Sequence, residues 1–177
     1  MFLLPLVATF VAPAAAVATE SVPRACDDMS FKVVAQMMDA ASNFETRLVL
    51  LGRSLAEDGN AKPPADNQTG PTAREKEVVN IGALRNSLGE VWGYLLAAEN
   101  LAAVRDLTVD ERDRAAVDRQ LKLVAQQIQE PLTFGLESAE NVSAVTKPGI
   151  AAEISKIHDF MDEARNRFAS CAGRADH

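Results

Sequence analysis

The clearest pattern in the chain is a stripe of apolar residues near its C-terminus. Apolar side chains recur there at alternating steps of four and three residues: Ile150, Ile154, Ile157, Met161, Ala164, Phe168 and Cys171. Charged residues such as Glu153, Lys156 and Arg167 lie between them, so that one side of a helix is apolar and the rest is polar. Because a single apolar stripe has to be covered by partners, the pattern predicts a helix over residues 149–171 that packs against other helices.

Three earlier segments repeat this period and predict three further helices, over about residues 28–56, 72–106 and 109–145. The stripe of the first helix is Val34, Met37, Ala41, Phe44, Leu48, Leu51 and Leu55. That of the second is Val78, Ile81, Leu84, Leu88, Val91, Leu95, Ala98 and Ala102. That of the third is Val117, Leu121, Val124, Ile128, Leu132, Gly135, Ala139, Val142 and Val145. No segment alternates with the period of a strand. The predicted fold is all-α, an antiparallel up-down-up-down four-helix bundle.

Short motifs mark where two of these helices begin. Thr72 and Glu75 have the spacing of a capping box at the start of the second helix, and Thr108 and Glu111 repeat that spacing before the third. The link between the second and third helices is therefore only a few residues long. Such a short link forces two helices to lie antiparallel.

Two features interrupt the helical pattern. Pro131 lies within the third helix, where proline removes a backbone hydrogen bond and clashes with the preceding turn at a cost of about 3 kcal/mol. Because the apolar period resumes beyond it, we expect a kink there and not an end. Residues 58–71 are rich in Gly, Pro, Asn and Asp and predict one long loop, which is either slack or functional.

The N-terminus has the pattern of an export signal. Residues 2–17 carry no charge, and Ala-Val-Ala at residues 16–18 is a small-x-small cleavage site, so we interpret residues 1–18 as a signal peptide. Residues 19–27 form a short irregular lead-in, and residues 28–172 form the bundle. No later segment is apolar for long enough to span a membrane. We therefore expect an exported protein, periplasmic or extracellular, with no transmembrane segment after cleavage.

Export makes the two cysteines informative, because oxidising compartments permit disulfides. Cys26 and Cys171 lie near opposite ends of the mature chain, and we expect one disulfide to tie them. Pairing between two chains, in a homodimer, is the alternative. Straight antiparallel helices would leave Cys171 about 15 Å above Cys26, at 1.5 Å per residue. A kink, the long loop or an extended segment at Cys26 has to absorb that offset.

Charge and motif content exclude several functional classes. The formal charge of −7 argues against nucleic-acid binding, which needs clustered Lys and Arg. The sequence has no phosphate-binding loop, no cysteine or histidine pairs at zinc spacing and no Glu-x-x-His motif. With only two histidines, a serine or cysteine triad is not expected. We therefore expect a protein that is not an enzyme.

Glycines within the second helix are unusual, because each costs about 1 kcal/mol relative to Ala. Gly82, Gly89 and Gly93, with Ala97, place small residues beside the main stripe. They indicate either packing, through the close approach of a neighbouring helix or room for a large side chain such as Phe44 or Trp92, or a cleft for a ligand or partner. We favour packing. On the first interpretation, Leu at position 93 would wedge the helices apart.

Soft ligands offer one possible cofactor site. If the cysteines pair, Met37 and Met38 of the first helix fall at the level of His158 and Met161 of the last. Met and His within a bundle can ligate b-type haem or copper. Methionines also fill gaps in aliphatic cores, and this is the interpretation we favour. We therefore expect no cofactor and no metal.

The sequence as a whole predicts a non-enzymatic bundle that acts in the cell envelope by interaction or by binding a small ligand. Its partner is an unidentified protein or small molecule, and a homodimer is compatible with the pattern. The alternative is a haem- or copper-binding bundle that uses Met38 and His158.

We predict that the mature chain begins at Thr19, because the uncharged apolar run closes with the small-x-small site just before it. Intact-mass measurement of the exported protein checks this. A mass that still includes residues 1–18 would contradict export by cleavage.

Overall fold

A computed structural model describes residues 26–59, 72–143 and 148–173. The helices are α1 (Phe31–Gly59), α2 (Ala73–Leu107), α3 (Glu111–Gln127), α4 (Gln129–Ser143) and α5 (Pro148–Gly173). Within those ranges there is no strand, which confirms the all-α class. Helix bounds agree with the predicted ones to within a few residues.

Several predictions concern residues outside the described ranges. These are the signal peptide at residues 1–18, most of the lead-in at 19–27, most of the long loop at 58–71, and the stripe residue Val145. In the described ranges, no helix is both long enough and apolar enough to cross a membrane.

The predicted third helix is interrupted at Ile128, which separates α3 from α4. Ile128 keeps right-handed helical backbone angles, and its N–H still donates to the Val124 carbonyl at 3.0 Å. Pro131 has no N–H to offer the carbonyl four residues earlier, at Gln127, where α3 ends. The prediction that the helix resumes beyond the interruption is therefore confirmed. The interruption lies before Pro131 because the backbone hydrogen bond that proline cannot donate would have reached back to Gln127.

The helices pack side by side around one aliphatic core. α1 packs along α2, α2 packs along α3 and α4, and both of these pack along α5. Most stripe residues in the described ranges are buried, and on α5 every one from Ile154 to Cys171 exposes 1% of its surface or less. On α1, Phe44 and Leu51 are exceptions that stay half-buried. Both face the seam toward α5.

The capping box at the start of α2 is confirmed. The Glu75 N–H donates to Thr72 Oγ1 at 3.2 Å, and the Thr72 N–H donates to Glu75 Oε2 at 2.6 Å. The bond from the Thr72 backbone, followed by the one from its hydroxyl, holds the pKa of Glu75 below its ordinary value. The helix therefore begins where the sequence motif places it.

The second predicted capping box, at Thr108 and Glu111, is wrong. Asp110 is the N-cap of α3, and its carboxylate accepts hydrogen bonds from two backbone N–H groups at 2.7 and 3.2 Å. Thr108 instead ends α2, where its hydroxyl donates to the Val104 carbonyl at 2.7 Å. The physical reason is that a charged carboxylate directly before the helix satisfies its free N–H groups better than a hydroxyl two residues further away.

Cys26 and Cys171 lie at disulfide distance, with Cα atoms 4.5 Å apart. Cys26 is not part of α1 but of a turn before it, in which the Met29 N–H donates to the Cys26 carbonyl at 3.0 Å. This turn brings Cys26 to the last turns of α5. The offset of about 15 Å expected for straight helices is thereby closed.

Arg105 of α2 fixes the same end of the bundle. Its guanidinium, buried in the helix end, donates to the Cys26 carbonyl and to the Asp27 carboxylate at 3.3 Å. Its Nε lies 3.5 Å from Oδ1 of Asp118 on α3, an ion pair that lacks hydrogen-bond geometry. A buried guanidinium is tolerated only with such partners. Arg105 thus joins α2, α3 and the cysteine turn.

Side chains from two neighbouring helices crowd against Gly135 of α4. A Cβ placed there would lie 2.8 Å from both Ser87 Oγ of α2 and Met161 Cε of α5. The buried Ser87 hydroxyl also donates to the Pro131 carbonyl of α4. Only glycine leaves room for these two side chains at once.

The interpretation of the α2 glycines as a packing groove is wrong. A Cβ on Gly82, Gly89 or Gly93 would meet no atom within 4 Å among the described residues, and Gly89 and Gly93 are exposed. Ala97 beside them is half-buried. Packing therefore does not require glycine at these three positions.

We predict one intramolecular disulfide between Cys26 and Cys171. Thiol counting under denaturing, non-reducing conditions should find no free thiol in protein from an oxidising compartment. Closing so long a loop stabilises the fold by about 4–5 kcal/mol in the chain-entropy model. Two free thiols, or a disulfide-linked dimer, would contradict the pairing.

We predict opposite effects for alanine at two glycines of similar helical setting. Gly135→Ala should destabilise by about 1–2 kcal/mol, because Met161 and Ser87 must move within a packed core. Gly93→Ala should stabilise by about 1 kcal/mol, because alanine is the better helix former and space is open there. Thermal melts of both variants decide this, and equal changes would show that the Gly135 contact is unimportant.

Candidate functional site

The seam between α1 and α5 stays partly open, because these helices approach each other closely along little of their length. Phe44 and Phe160 bridge the seam, with ring centroids 5.5 Å apart and planes inclined by 48°. On each side of this aromatic pair the seam widens into a cavity. The cavity on the side away from the cysteines is here named the apolar groove, and it is lined by Arg47, Leu48, Leu50, Leu51, Ser54, Glu153, Ile154 and Ile157.

Aliphatic side chains form most of the apolar groove, whose volume is about 460 Å³. That volume lies within the range of small-molecule sites. Leu48, Ile154 and Ile157 supply a buried floor, and each belongs to a predicted core stripe. Leu51 is half-buried and Leu50 is 60% exposed, so leucine side chains also reach the rim. A ligand with an apolar part would remove the exposed surface of Leu50 and Leu51 from water, while the floor is already withdrawn from it.

Charges on the rim of the apolar groove are arranged around Glu153. Its carboxylate accepts hydrogen bonds from Arg47 Nη1 at 2.6 Å and from Lys156 Nζ at 2.7 Å. The bonds from Lys156 and then from Arg47 hold the pKa of Glu153 below its ordinary value. Two cations therefore share one carboxylate, which leaves a local charge of +1 on a chain of net charge −7.

The cavity on the cysteine side of the aromatic pair is smaller, at about 190 Å³. Its lining residues are Val33, Gln36, Met37, Ala40, Phe160, Glu163, Ala164 and Arg167. Glu163 and Arg167 pair with each other at 2.8 Å, so the charges there cancel. This part of the seam offers less space and no net charge.

A third depression, of about 650 Å³, lies at the interruption between α3 and α4. It is lined by Glu90, Tyr94, Gln127, Gln129, Glu130, Pro131, Thr133, Phe134 and Glu137. Most of these side chains are exposed, and the charged ones are all carboxylates. The depression is therefore an acidic surface cleft without an aliphatic floor.

The residues considered for haem or copper each have other contacts. His158 faces α4, with Nε2 3.8 Å from Glu140 Oε1, and Met161 is fully buried against Gly135. Met37 instead lines the smaller seam cavity, and Met38 is partly buried against the core. Across the described ranges, no group of three or more His, Cys, Asp or Glu side chains is arranged to hold a metal ion.

Sequence reasoning placed half of the groove residues, Leu48, Leu51, Ile154 and Ile157, in the core and did not recognise them as a site. The apolar spacing that marks Leu48 and Ile154 is the same whether a neighbouring helix covers them or leaves them beside an open seam. Sequence reasoning also missed Arg105. This residue follows Ala98 and Ala102 at steps of four and three, so it continues the apolar stripe of α2. A charged residue at such a position was the signal that could have identified it.

The chain matches no protein-family model, no curated protein and no solved structure.

Proposed function

We propose that the protein is an exported, non-enzymatic bundle that binds a small ligand through the apolar groove, in the cell envelope. The observation that carries this proposal is the aliphatic floor of Leu48, Ile154 and Ile157 beneath a cavity that opens to solvent. Ligand sites of this kind combine a mostly apolar lining with a few polar groups, and here those are Arg47 and Glu153.

An antiparallel up-down-up-down order of the helices fits this proposal. It makes α1 and α5, the first and last helices, neighbours that no short loop connects. Cys26 and Cys171 clamp one end of their seam, and the apolar groove lies toward the other end. A seam held at one end can widen at the other with little loss of contact, because α1 and α5 share few contacts to begin with.

Export is supported by two independent features. Residues 1–18 have the composition of a signal peptide, and the cysteine pair at disulfide distance suits an oxidising compartment. Both features support a periplasmic or extracellular setting.

A binding role is favoured over catalysis by the chemistry of the groove. Ser54 supplies the hydroxyl among its lining residues, and the lining includes no histidine or cysteine to activate it. His158, the nearest candidate base on α5, faces α4. Haem or copper ligation by Met38 and His158 has no geometric observation in its favour, and we do not carry it further.

We predict that Leu50→Glu weakens binding of the uncharged fluorescent probe N-phenylnaphthylamine by about tenfold or more, because it places a carboxylate at the rim of the apolar groove. Leu50 is 60% exposed, so the fold should tolerate the change. Fluorescence titration measures the affinity, and circular dichroism verifies the helical content.

Leu123→Glu is the matched control, since Leu123 is a 49% exposed leucine on α3 and lines none of the cavities described above. Its affinity for the probe should equal that of the parent protein. Absence of probe binding in the parent, or equal binding by Leu50→Glu and Leu123→Glu, would refute the proposed site.

A further inference from the structure

We propose that the ligand of the apolar groove is an aliphatic carboxylate, a fatty acid, whose tail covers the aliphatic floor and whose headgroup binds Arg47 and Lys156. The inference rests on the proposed function and adds the chemical class of the ligand. Its basis is the juxtaposition of an apolar cavity with a rim where two cations share one carboxylate.

Arg47 and Lys156 have hydrogen-bond donors that their bonds to Glu153 do not use. Arg47 and Lys156 each donate one observed bond to Glu153, whereas a guanidinium has five N–H donors and an ammonium has three. Both side chains are more than half exposed, at 55% and 58%, so their remaining donors are open to a ligand. A headgroup carboxylate can therefore bind beside Glu153 through charge-assisted hydrogen bonds.

The charge beside the rim of the apolar groove favours an anionic headgroup. Arg47 and Glu153 line the groove and their charges cancel, but Lys156, which lies outside the lining and 2.7 Å from Glu153, adds one positive charge beside the rim. The acidic cleft at the α3–α4 interruption carries only carboxylates among its charged groups. A cationic amphiphile would be repelled by the rim, and an uncharged one would gain from the tail alone. An anionic headgroup gains from both parts of the groove. The local charge decides this because interactions beyond about 8 Å are screened at physiological salt, so the net charge of −7 acts weakly at the site.

The length of the apolar groove along α1 suits a hydrocarbon tail. From Leu48 to Ser54 the groove follows α1 for about 9 Å, at 1.5 Å per residue. A headgroup at Arg47 with its tail directed toward Ser54 lies along this distance, over the floor formed by Ile154 and Ile157. A hydrocarbon tail of matching length can lie along this distance and contact the leucine side chains of the rim.

The experiment compares three amphiphiles with the same tail, each below its micelle-forming concentration. Decanoate, decanol and decylammonium compete with N-phenylnaphthylamine for the full-length protein. Decanoate should bind about two- to fivefold more tightly than decanol, which is the gain typical of an exposed ion pair. Decylammonium should bind most weakly, and raising the salt concentration should reduce the preference for decanoate.

Charge variants test which side chains hold the headgroup. Arg47→Gln and Lys156→Gln should each weaken decanoate binding by about two- to fivefold and leave decanol binding unchanged. Glu153→Gln should tighten decanoate binding, because it removes the competing negative charge. Arg119→Gln, at an exposed position on α3, is the control and should alter neither affinity.

Each outcome bears on one proposal or the other. If decanoate and decanol bind equally and the charge variants change neither affinity, the carboxylate class is wrong while the apolar groove remains a binding site. If no amphiphile binding responds to Leu50→Glu, the proposed function itself fails. A dimer that Leu50→Glu converts to a monomer would place a second copy of the chain on the groove and overturn the fatty-acid assignment.

Discussion

Burial of the apolar stripe of α5 is the constraint on which the rest of the structure depends. From Ile154 to Cys171 these side chains are almost completely withdrawn from water, although α5 is covered unequally by its neighbours. On the side of α4, that helix packs closely against the α5 stripe, because Gly135 has no side chain and Met161 fills the space against it. On the side of α1, the neighbouring helix covers the stripe only in part. The seam between α1 and α5 therefore stays partly open, while the α4 side is closely packed.

The end of that seam nearest Cys26 is held by interactions of a different kind. The cysteine pair joins the turn before α1 to α5, and Arg105 joins the same turn to α2 and α3 through a carbonyl and two carboxylates. Removing one partner of a buried cation leaves an uncompensated charge, so these contacts act as a unit. The apolar groove lies toward the opposite end of the seam, away from these contacts. The contacts that stabilise the fold and the proposed ligand site are therefore at different ends of the same seam.

The groove owes its character to residues that each have an ordinary structural role. Leu48 and Ile154 are core residues of their helices, and the Arg47–Glu153–Lys156 cluster is an exposed group of ion pairs that contributes little to stability. Phe44 and Phe160 set how far apart the two helices stand at the middle of the seam. Only their placement in one seam gives them a shared chemistry: an aliphatic surface with a positively charged rim on an acidic protein.

The sequence alone determined the all-α class, the position of each helix to within a few residues, and which side of each helix is buried. It could do so because helical periodicity and capping are local properties, as Thr72 and Glu75 show at the start of α2. Tertiary structure decided how closely each pair of helices approaches. The spacing that marks Gly93 as small, and Phe44 and Leu51 as apolar, does not say whether a neighbour, a cavity or water lies opposite. Those outcomes depend on the simultaneous fit of side chains from several helices, which is why Gly135, and not Gly93, lies at a close contact, and why the α1–α5 seam is open.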